Sequence, residues 1–383
     1  MHLAFHVFQR IFSKEPLVKK KISIITPSLN GGGAEKVAVN LANHFADSDY
    51  SVDLVVFKLI GPYHSLVNKK VNLVNLSVSR TRYVFFRIRK YLRTNREARV
   101  LSVIRDANIF VGLAAYGLKI KSLAFREANT MNAIDNSPQP KKSIYKFLMK
   151  VAYKRADRII SNSEDTKTDL VKSKIIPEEK AIVIRNPVLD PSFIELRSEK
   201  LYEPWFLDEG TKVILSVGRF HRQKNFSFLI SVFKEVHEIN SCSRLVIVGE
   251  GEEKQRLFDL IKIEGLSEVV KLIEFQKNIY PYYESADVFA LTSEWEGFGN
   301  VLVEALSVGL PIVSTNCPGG PKMVLENGKY GELVPLGDKK AYVKALLAAL
   351  ENPIKRQESI NYALHYSVEK VAREYLKVMD ITF

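Results

Sequence analysis

SEWEGFGNVLVEALSVGLPIV, residues 293–313, orders the rest of the chain. Upstream, DVFALTS (Asp287 to Ser293) reads as a short buried strand; downstream, Asn300 to Ser307 places apolar residues at helical spacing. Between them Gly297-Phe298-Gly299-Asn300 forms a tight turn, and Glu296 and Glu304 stand with seven residues between them. The order strand, glycine turn, helix predicts a parallel α/β sheet whose turns carry ligands.

A helix start leaves its first N–H groups unpaired and carries a partial positive charge, so it binds phosphate. Glycines at 297 and 299 let backbone approach the anion, Glu296 can accept hydrogen bonds from sugar hydroxyls, and Glu304 lies about one turn further on. Two carboxylates that bracket a phosphate-binding turn suit a nucleotide sugar, since each grips a pair of hydroxyls. Either glutamate alone reads better as a solvated surface carboxylate; the whole constellation does not.

The segment resembles the Glu-x7-Glu motif of the retaining family-four glycosyltransferases, which have the GT-B fold: two Rossmann-like α/β domains facing a cleft. The likeness runs from about Lys21 to about Asp338. It implies that Glu296 contacts the donor sugar, that Glu304 holds the ribose, and that the amides of Phe298, Gly299 and Asn300 bind the diphosphate.

Outward from that motif, Lys212 to Val217 reads as the strand opening the same domain, with Gly218-Arg219 at its end and Lys224-Asn225 starting a helix. Two cations at one helix start can neutralise a diphosphate leaving group. The Gly-Arg-x4-Lys-Asn spacing matches the resembled family, which gives Arg219 and Lys224 that role and implies a metal-independent enzyme without a cofactor. Arg244 to Leu266 supplies another strand, turn and helix, with Gly249 to Gly251 at the turn. Phe275 to Asn278 falls in the loop where relatives cradle the nucleobase, which makes Asn278 a donor-binding candidate; Glu274 stands where a glycine is expected. UDP is the first choice of nucleotide on resemblance alone. After the motif, Gly319 and Gly320 either approach the donor or are plain turn glycines, and Met323 occupies a position often acidic. Cys317 reads as a buried small residue rather than a nucleophile.

In the first half, KISIITPS (Lys21 to Ser28), a glycine run at 31–33 and a helix from Ala34 to Phe45 open a second doubly wound domain. The resemblance sets Gly32 and Gly33 under the donor diphosphate. Strand and helix patterns continue with SVDLVVFK (51–58), VNLVNL (71–76), NIFVGL (108–113), SLAFREAN (122–129) and RIISNS (158–163). At the end of SLAF, Arg126, Glu127 and Asn129 emerge where open α/β sheets gather ligand residues, as acceptor-side candidates; Arg126 and Glu127 are alternatively a structural ion pair. Many relatives have histidine where this chain has Ala128. The predicted organisation is an amphipathic segment at 1–20, an acceptor-side domain at 21–192, a linker at 193–209, a donor-nucleotide domain at 210–365, and a C-terminal helix at 366–383 crossing back to the first domain.

A chain of 383 residues exceeds one ordinary core. Its two cysteines form no disulfide framework and fit a reducing compartment, and its histidines and cysteines show no metal-ligand spacing. The net charge of +13 is uneven: through Asp190 there are 33 Lys and Arg against 16 Asp and Glu, and the remainder is slightly acidic. Such a field attracts nucleic acid or an anionic membrane. Arg80 to Arg99 interleaves Arg and Lys with Tyr83, Phe85, Phe86 and Tyr91, and Lys141 to Arg158 repeats the chemistry. Each alone is equally an ordinary amphipathic helix; together they favour a membrane surface. No apolar run approaches the roughly 18 residues that span a bilayer. Met1 to Phe12, apolar but lacking a small-residue cleavage site, reads as a peripheral anchor or a packed helix rather than a secretory signal.

The expectation is a retaining glycosyltransferase in the cytoplasm, peripheral on the inner face of the plasma membrane. It moves a hexose or N-acetylhexosamine from a UDP-sugar to a hydroxyl of a lipid-linked saccharide or lipopolysaccharide precursor. Its alternatives are a nucleotide-sugar epimerase of similar fold, which needs no acceptor, a soluble glycogen-synthase-like or trehalose-type enzyme, and a non-catalytic basic protein binding membrane or nucleic acid. The last leaves Glu296, Glu304, Arg219 and Lys224 without roles, and no nucleic-acid motif is visible. The sequence specifies no oligomeric state.

Overall fold

The computed structural model describes residues 19–78, 80–128, 141–351 and 357–380. Met1 to Phe12, read as a peripheral anchor or a packed helix, and Asn129 lie outside them. The first sheet has seven parallel strands: β1 (Lys21–Thr26), β2 (Ser51–Val56), β3 (Asn72–Asn75), β4 (Arg99–Ser102), β5 (Ser122–Glu127), β6 (Arg158–Ser161) and β7 (Ala181–Val183). Their order is β3-β2-β1-β4-β5-β6-β7, with Ile24 opposite both Leu54 and Leu101. The central strands are near-continuous apolar runs because helices cover both faces. One face packs under the helices Val84–Thr94, Arg105–Ala114 and Lys141–Lys154; the other packs under the helix Gly33–Asp47.

Two readings of this half change. NIFVGL is part of the Arg105–Ala114 helix, and the strand beside β1 is Arg99–Ser102, at the end of the basic stretch. A four-residue strand flanked by arginine is too short to show a period, whereas NIFVGL has the apolar run that strand and buried helix share.

The second sheet comprises β8 (Lys212–Val217), β9 (Ser243–Val248), β10 (Val270–Ile273), β11 (Val288–Leu291), β12 (Ile312–Thr315) and β13 (Glu332–Val334), ordered β10-β9-β8-β11-β12-β13 and again parallel. Both sheets reverse order beside their first strand, between β1 and β4 and between β8 and β11. Ligands of open α/β sheets bind at such switch points, outside the strand carboxyl ends. The two switch points face each other across a cleft lined from both domains.

The chain crosses between domains twice, at one place. Ile184 belongs to the first core and Val188 and Leu189 to the second, so the crossing lies between them. The stretch 193–209, expected as a linker, instead packs on the second domain through Phe193, Leu196 and Trp205, because its apolar residues have a core to join. The return crossing pairs with the first: the N–H groups of Val188 and Leu189 donate to Tyr366 O at 2.9 and 3.1 Å, and Val368 N donates to Leu189 O at 2.8 Å. The helix Val368–Val378 then lies on the Gly33–Asp47 helix and buries Val371, Ala372, Tyr375 and Leu376 in the first domain.

Candidate active site

The second domain builds its side of the cleft from two stitched loops. After β8 the chain passes Gly218 and an exposed Arg219 into the short 3-10 turn Arg222–Lys224. After β11 it runs through Thr292 to Asn300. Thr292 Oγ1 donates to Lys224 O at 3.0 Å, Glu294 N to Gln223 O at 2.9 Å, and Gln223 Nε2 to Trp295 O at 2.7 Å. These bonds bring Lys224 Nζ to 2.6 Å from Glu296 Oε1, which also accepts from Ser293 Oγ at 2.6 Å. Both bonds fall on one carboxylate oxygen, which leaves Oε2 and the remaining Lys224 protons for a ligand. Glu296 is buried and Lys224 half-buried, so the pair is only partly screened by water.

Behind Glu296 the turn is held from below. Glu296 N donates to Pro318 O at 3.0 Å, and Gly319 and Gly320 lie against the turn so tightly that a Cβ on either would sit 1.8 Å from Glu296 O or Phe298 O. These glycines therefore form the floor of the turn and face its backbone. Phe298 turns its ring into the core against Tyr366, which leaves its backbone for the cleft. Gly299, at φ 85°, caps the helix Asn300–Ser307 without a side-chain hydrogen bond, so the helix's leading amides stay open.

One turn along, Glu304 accepts from Tyr283 Oη at 3.0 Å. Burial raises its pKa above 4.5, against the Lys36 and Lys224 charges and the Tyr283 bond. Arg219 and Asn300 border two joined cavities. One, of about 480 Å³, reaches Glu296, Lys224 and the first-domain glycines; the other, of about 240 Å³, reaches Gly218, Phe275 and Glu304.

The first domain supplies the facing wall. Gly32 caps the Gly33–Asp47 helix, and Glu35 in its first turn lines the larger cavity. Burial raises the Glu35 pKa, opposed by its own backbone N–H bond and by the charges of Arg219 and Arg126. Tyr63 donates to Gly31 O at 3.0 Å and, with Lys36, borders the smaller cavity, where its ring meets Phe275 at 6.1 Å. The loop 275–278 is thus closed by a residue of the opposite domain.

The acceptor-side candidates are placed differently from expectation. Successive residues on β5 point to opposite faces of the sheet, so Arg126 and Glu127 do not pair. Glu127 takes two bonds from Arg105 at 2.7 and 2.8 Å, one from Asn108 Nδ2 at 3.1 Å, and one from Tyr153 Oη. This is a buried structural cluster that borders the cavity without a free carboxylate oxygen. Arg126 is wholly buried and donates to Asn186 Oδ1 at 2.5 Å. Asn278 is also turned away: its Nδ2 donates to Leu196 O at 2.8 Å and its Oδ1 accepts from Tyr280 N at 3.1 Å, while its neighbours Lys277 and Ile279 line the cavity.

Glu35, Tyr63 and Asn186 are cleft residues that sequence reasoning did not single out. Glu35 had a signal, a carboxylate at the third position of a helix opened by glycines. Burial holds the Cys317 thiol up at about 12, as an inert core residue requires. Among the described residues no group of three or more His, Cys, Asp or Glu is arranged to hold a metal ion.

Two family models divide the chain at its crossing: residues 31–189 match "Glycosyltransferase Family 4" and residues 198–366 match "Glycosyl transferases group 1". The chain belongs to the family-four glycosyltransferases. This glycosyltransferase is 29% identical to an uncharacterized glycosyltransferase of Haemophilus influenzae, over 94% of this chain and all of that one. It is 32% identical to the Campylobacter jejuni enzyme named N-acetylgalactosamine-N,N'-diacetylbacillosaminyl-diphospho-undecaprenol 4-alpha-N-acetylgalactosaminyltransferase, over 62% of this chain and 63% of that one. In fold it resembles Anabaena HepE, solved in complex with UDP-glucose, at TM-score 0.78 and 20% identity, over 94% of this chain and all of that one. The fold of the glycosyltransferase is GT-B, including the helix that returns to the first domain.

Proposed function

We propose that this glycosyltransferase moves a hexose or N-acetylhexosamine from a UDP-sugar to a hydroxyl of a lipid-linked saccharide or surface-polysaccharide precursor, with retention at the anomeric carbon. The observation that carries the reading is the convergence of Arg219, Lys224, Glu296 and Glu304 on one open helix start. In this reading the amides of Phe298 to Asn300 and the two cations hold the diphosphate, Glu304 grips the ribose, and Glu296 orients the sugar through the oxygen that Lys224 and Ser293 leave open. The cations stabilise charge as it develops on the departing diphosphate. The acceptor hydroxyl attacks the face from which the diphosphate leaves, and a phosphate oxygen takes its proton, so positioning does most of the work. The reaction then needs no metal, and transfer survives EDTA.

The lipid-linked acceptor is supported by the Campylobacter relative's name and by the surface of the first domain. The helices Val84–Thr94 and Lys141–Lys154 flank the Arg105–Ala114 helix on one face. They expose Phe86, Ile144 and Phe147 there among Arg82, Arg87, Lys90 and Lys150. Apolar side chains set in a basic field suit an anionic membrane. No helix among the described residues is long and apolar enough to cross one.

The deciding experiment is a thermal-shift and calorimetric screen against UDP-, GDP- and ADP-sugars, with Glu296→Gln tested for transfer. We expect saturable stabilisation by the UDP class and a kcat about a hundredfold lower or worse in the variant, at near-unchanged UDP affinity. No stabilisation by any of the three classes, or full transfer by the variant, overturns the reading.

A further inference from the structure

A wholly buried arginine begins a hydrogen-bond chain that crosses the cleft. Arg126, at the end of β5, has none of its surface exposed; among the described residues its Nε and Nη1 meet no acceptor, while Nη2 donates to Asn186 Oδ1 at 2.5 Å and the Tyr375 hydroxyl lies beside the guanidinium. Asn186 lies at the crossing between the domains and is 3% exposed. Its Nδ2 donates to Asn300 Oδ1 at 2.7 Å. Asn300 opens the second domain's helix at the glycine turn, and its own Nδ2 reaches back to Gly33 O in the first domain, at 3.4 Å. A Cβ on Gly33 would lie 3.2 Å from that nitrogen, so the approach is close.

The direction of the chain is forced. A guanidinium only donates, so Asn186 must present its oxygen to Arg126. Its NH2 group then faces Asn300, which must accept with its oxygen, and the NH2 of Asn300 is sent to the Gly33 carbonyl. One donor-only residue sets the orientation of two amides and ends on a bond between domains.

We infer that Asn186 is a positioning residue that latches the two domains with the cleft closed over the donor turn. It touches no reacting atom and acts through Asn300. The latch concerns the domains themselves; it rests on the proposed function only for the ligand, UDP, used to probe it. Closure matters to that ligand because Lys36 and Tyr63 of the first domain border the cavity beside Glu304.

Asn186→Asp isolates the effect. The carboxylate has nearly the same shape and gives the buried Arg126 an anionic partner, so the fold gains an ion pair. An aspartate offers no donor, however, so Asn300 must flip to donate to it. The Asn300 oxygen then faces the Gly33 carbonyl, and the bond between domains is lost. Asn300→Ser cuts the same chain at its other end while leaving the Arg126–Asn186 bond whole.

The test is small-angle X-ray scattering of the full chain with and without UDP, together with thermal melts and calorimetric UDP titration. N186D is expected to melt at or above the wild type, to show a larger radius of gyration, and to bind UDP about tenfold more weakly, the size of one lost hydrogen bond. N300S is expected to open to the same extent, and the double variant no further than either. If N186D unfolds, the scattering of N300S decides. Wild-type dimensions in the folded variants, or openings that add in the double variant, overturn the latch. A wild type that binds no UDP overturns the nucleotide reading and leaves the latch to be judged by scattering and additivity.

Discussion

Glu304 is a carboxylate that the fold buries at a cost. Burial raises its pKa above 4.5, so the folded chain holds its proton more tightly than the unfolded chain does. The stabilising contribution is therefore complete below the unfolded pKa and is lost as pH rises through the folded one. E304Q is expected to melt above the wild type at neutral pH and level with it below about pH 4.5. It is also expected to bind UDP about tenfold more weakly, because an amide offers one acceptor oxygen where the carboxylate offers two. Melts across pH and calorimetry check both halves, and equal neutral-pH melting would mean that the carboxylate is not held at a cost. The residues brought together at this site were largely legible in the sequence: Glu296, Lys224 and Glu304 sit at fixed offsets along strand, turn and helix, so spacing predicts position. Arg126 and Glu127 do line the cleft, but the alternative reading of them as an ion pair fails because adjacent strand residues face opposite ways, and each finds a partner on its own side. Asn186 could not be read at all, since its partners lie 60 and 114 residues away.

At the scale of elements, the turn that carries Glu296 depends on a second turn beneath it. A Cβ at residue 320 would sit 1.8 Å from Phe298 O, and backbone has no flexible end to move aside. G320A is expected to lose about 1–3 kcal/mol of stability, the usual range for overpacking. It should also weaken UDP binding, since the shift passes directly into the turn amides to which the proposed function gives the diphosphate. Urea unfolding paired with UDP titration tests this; a variant with wild-type values for both would mean that the floor gives way freely. The strand–glycine–helix units were readable wherever an apolar run met a glycine. The short strands β4 and β7 and the packing of 193–209 were not, because three or four residues hold no period and a polar-looking stretch reveals its core contacts only once the core exists.

For the whole molecule, the charge asymmetry and the aromatic helices were visible in the sequence, but that they share one face was not, because helix 105–114 brings them together. Phe86 is 67% exposed and Phe147 66%, so replacing both with glutamate removes little packing. F86E/F147E is expected to lose most flotation with anionic vesicles while UDP affinity and melting hold. Wild-type flotation that is absent, or that salt does not weaken, would count against the membrane face. The returning helix has a further consequence, for how the protein is made. Val371, Tyr375 and Met379 complete the core that begins at Ile22, so the first domain to leave the ribosome is the last able to close. During synthesis the second domain can finish its sheet and helices while the first still shows an open apolar groove. A nascent chain stalled before residue 368 therefore holds a folded second domain and a first domain that chaperones can still bind.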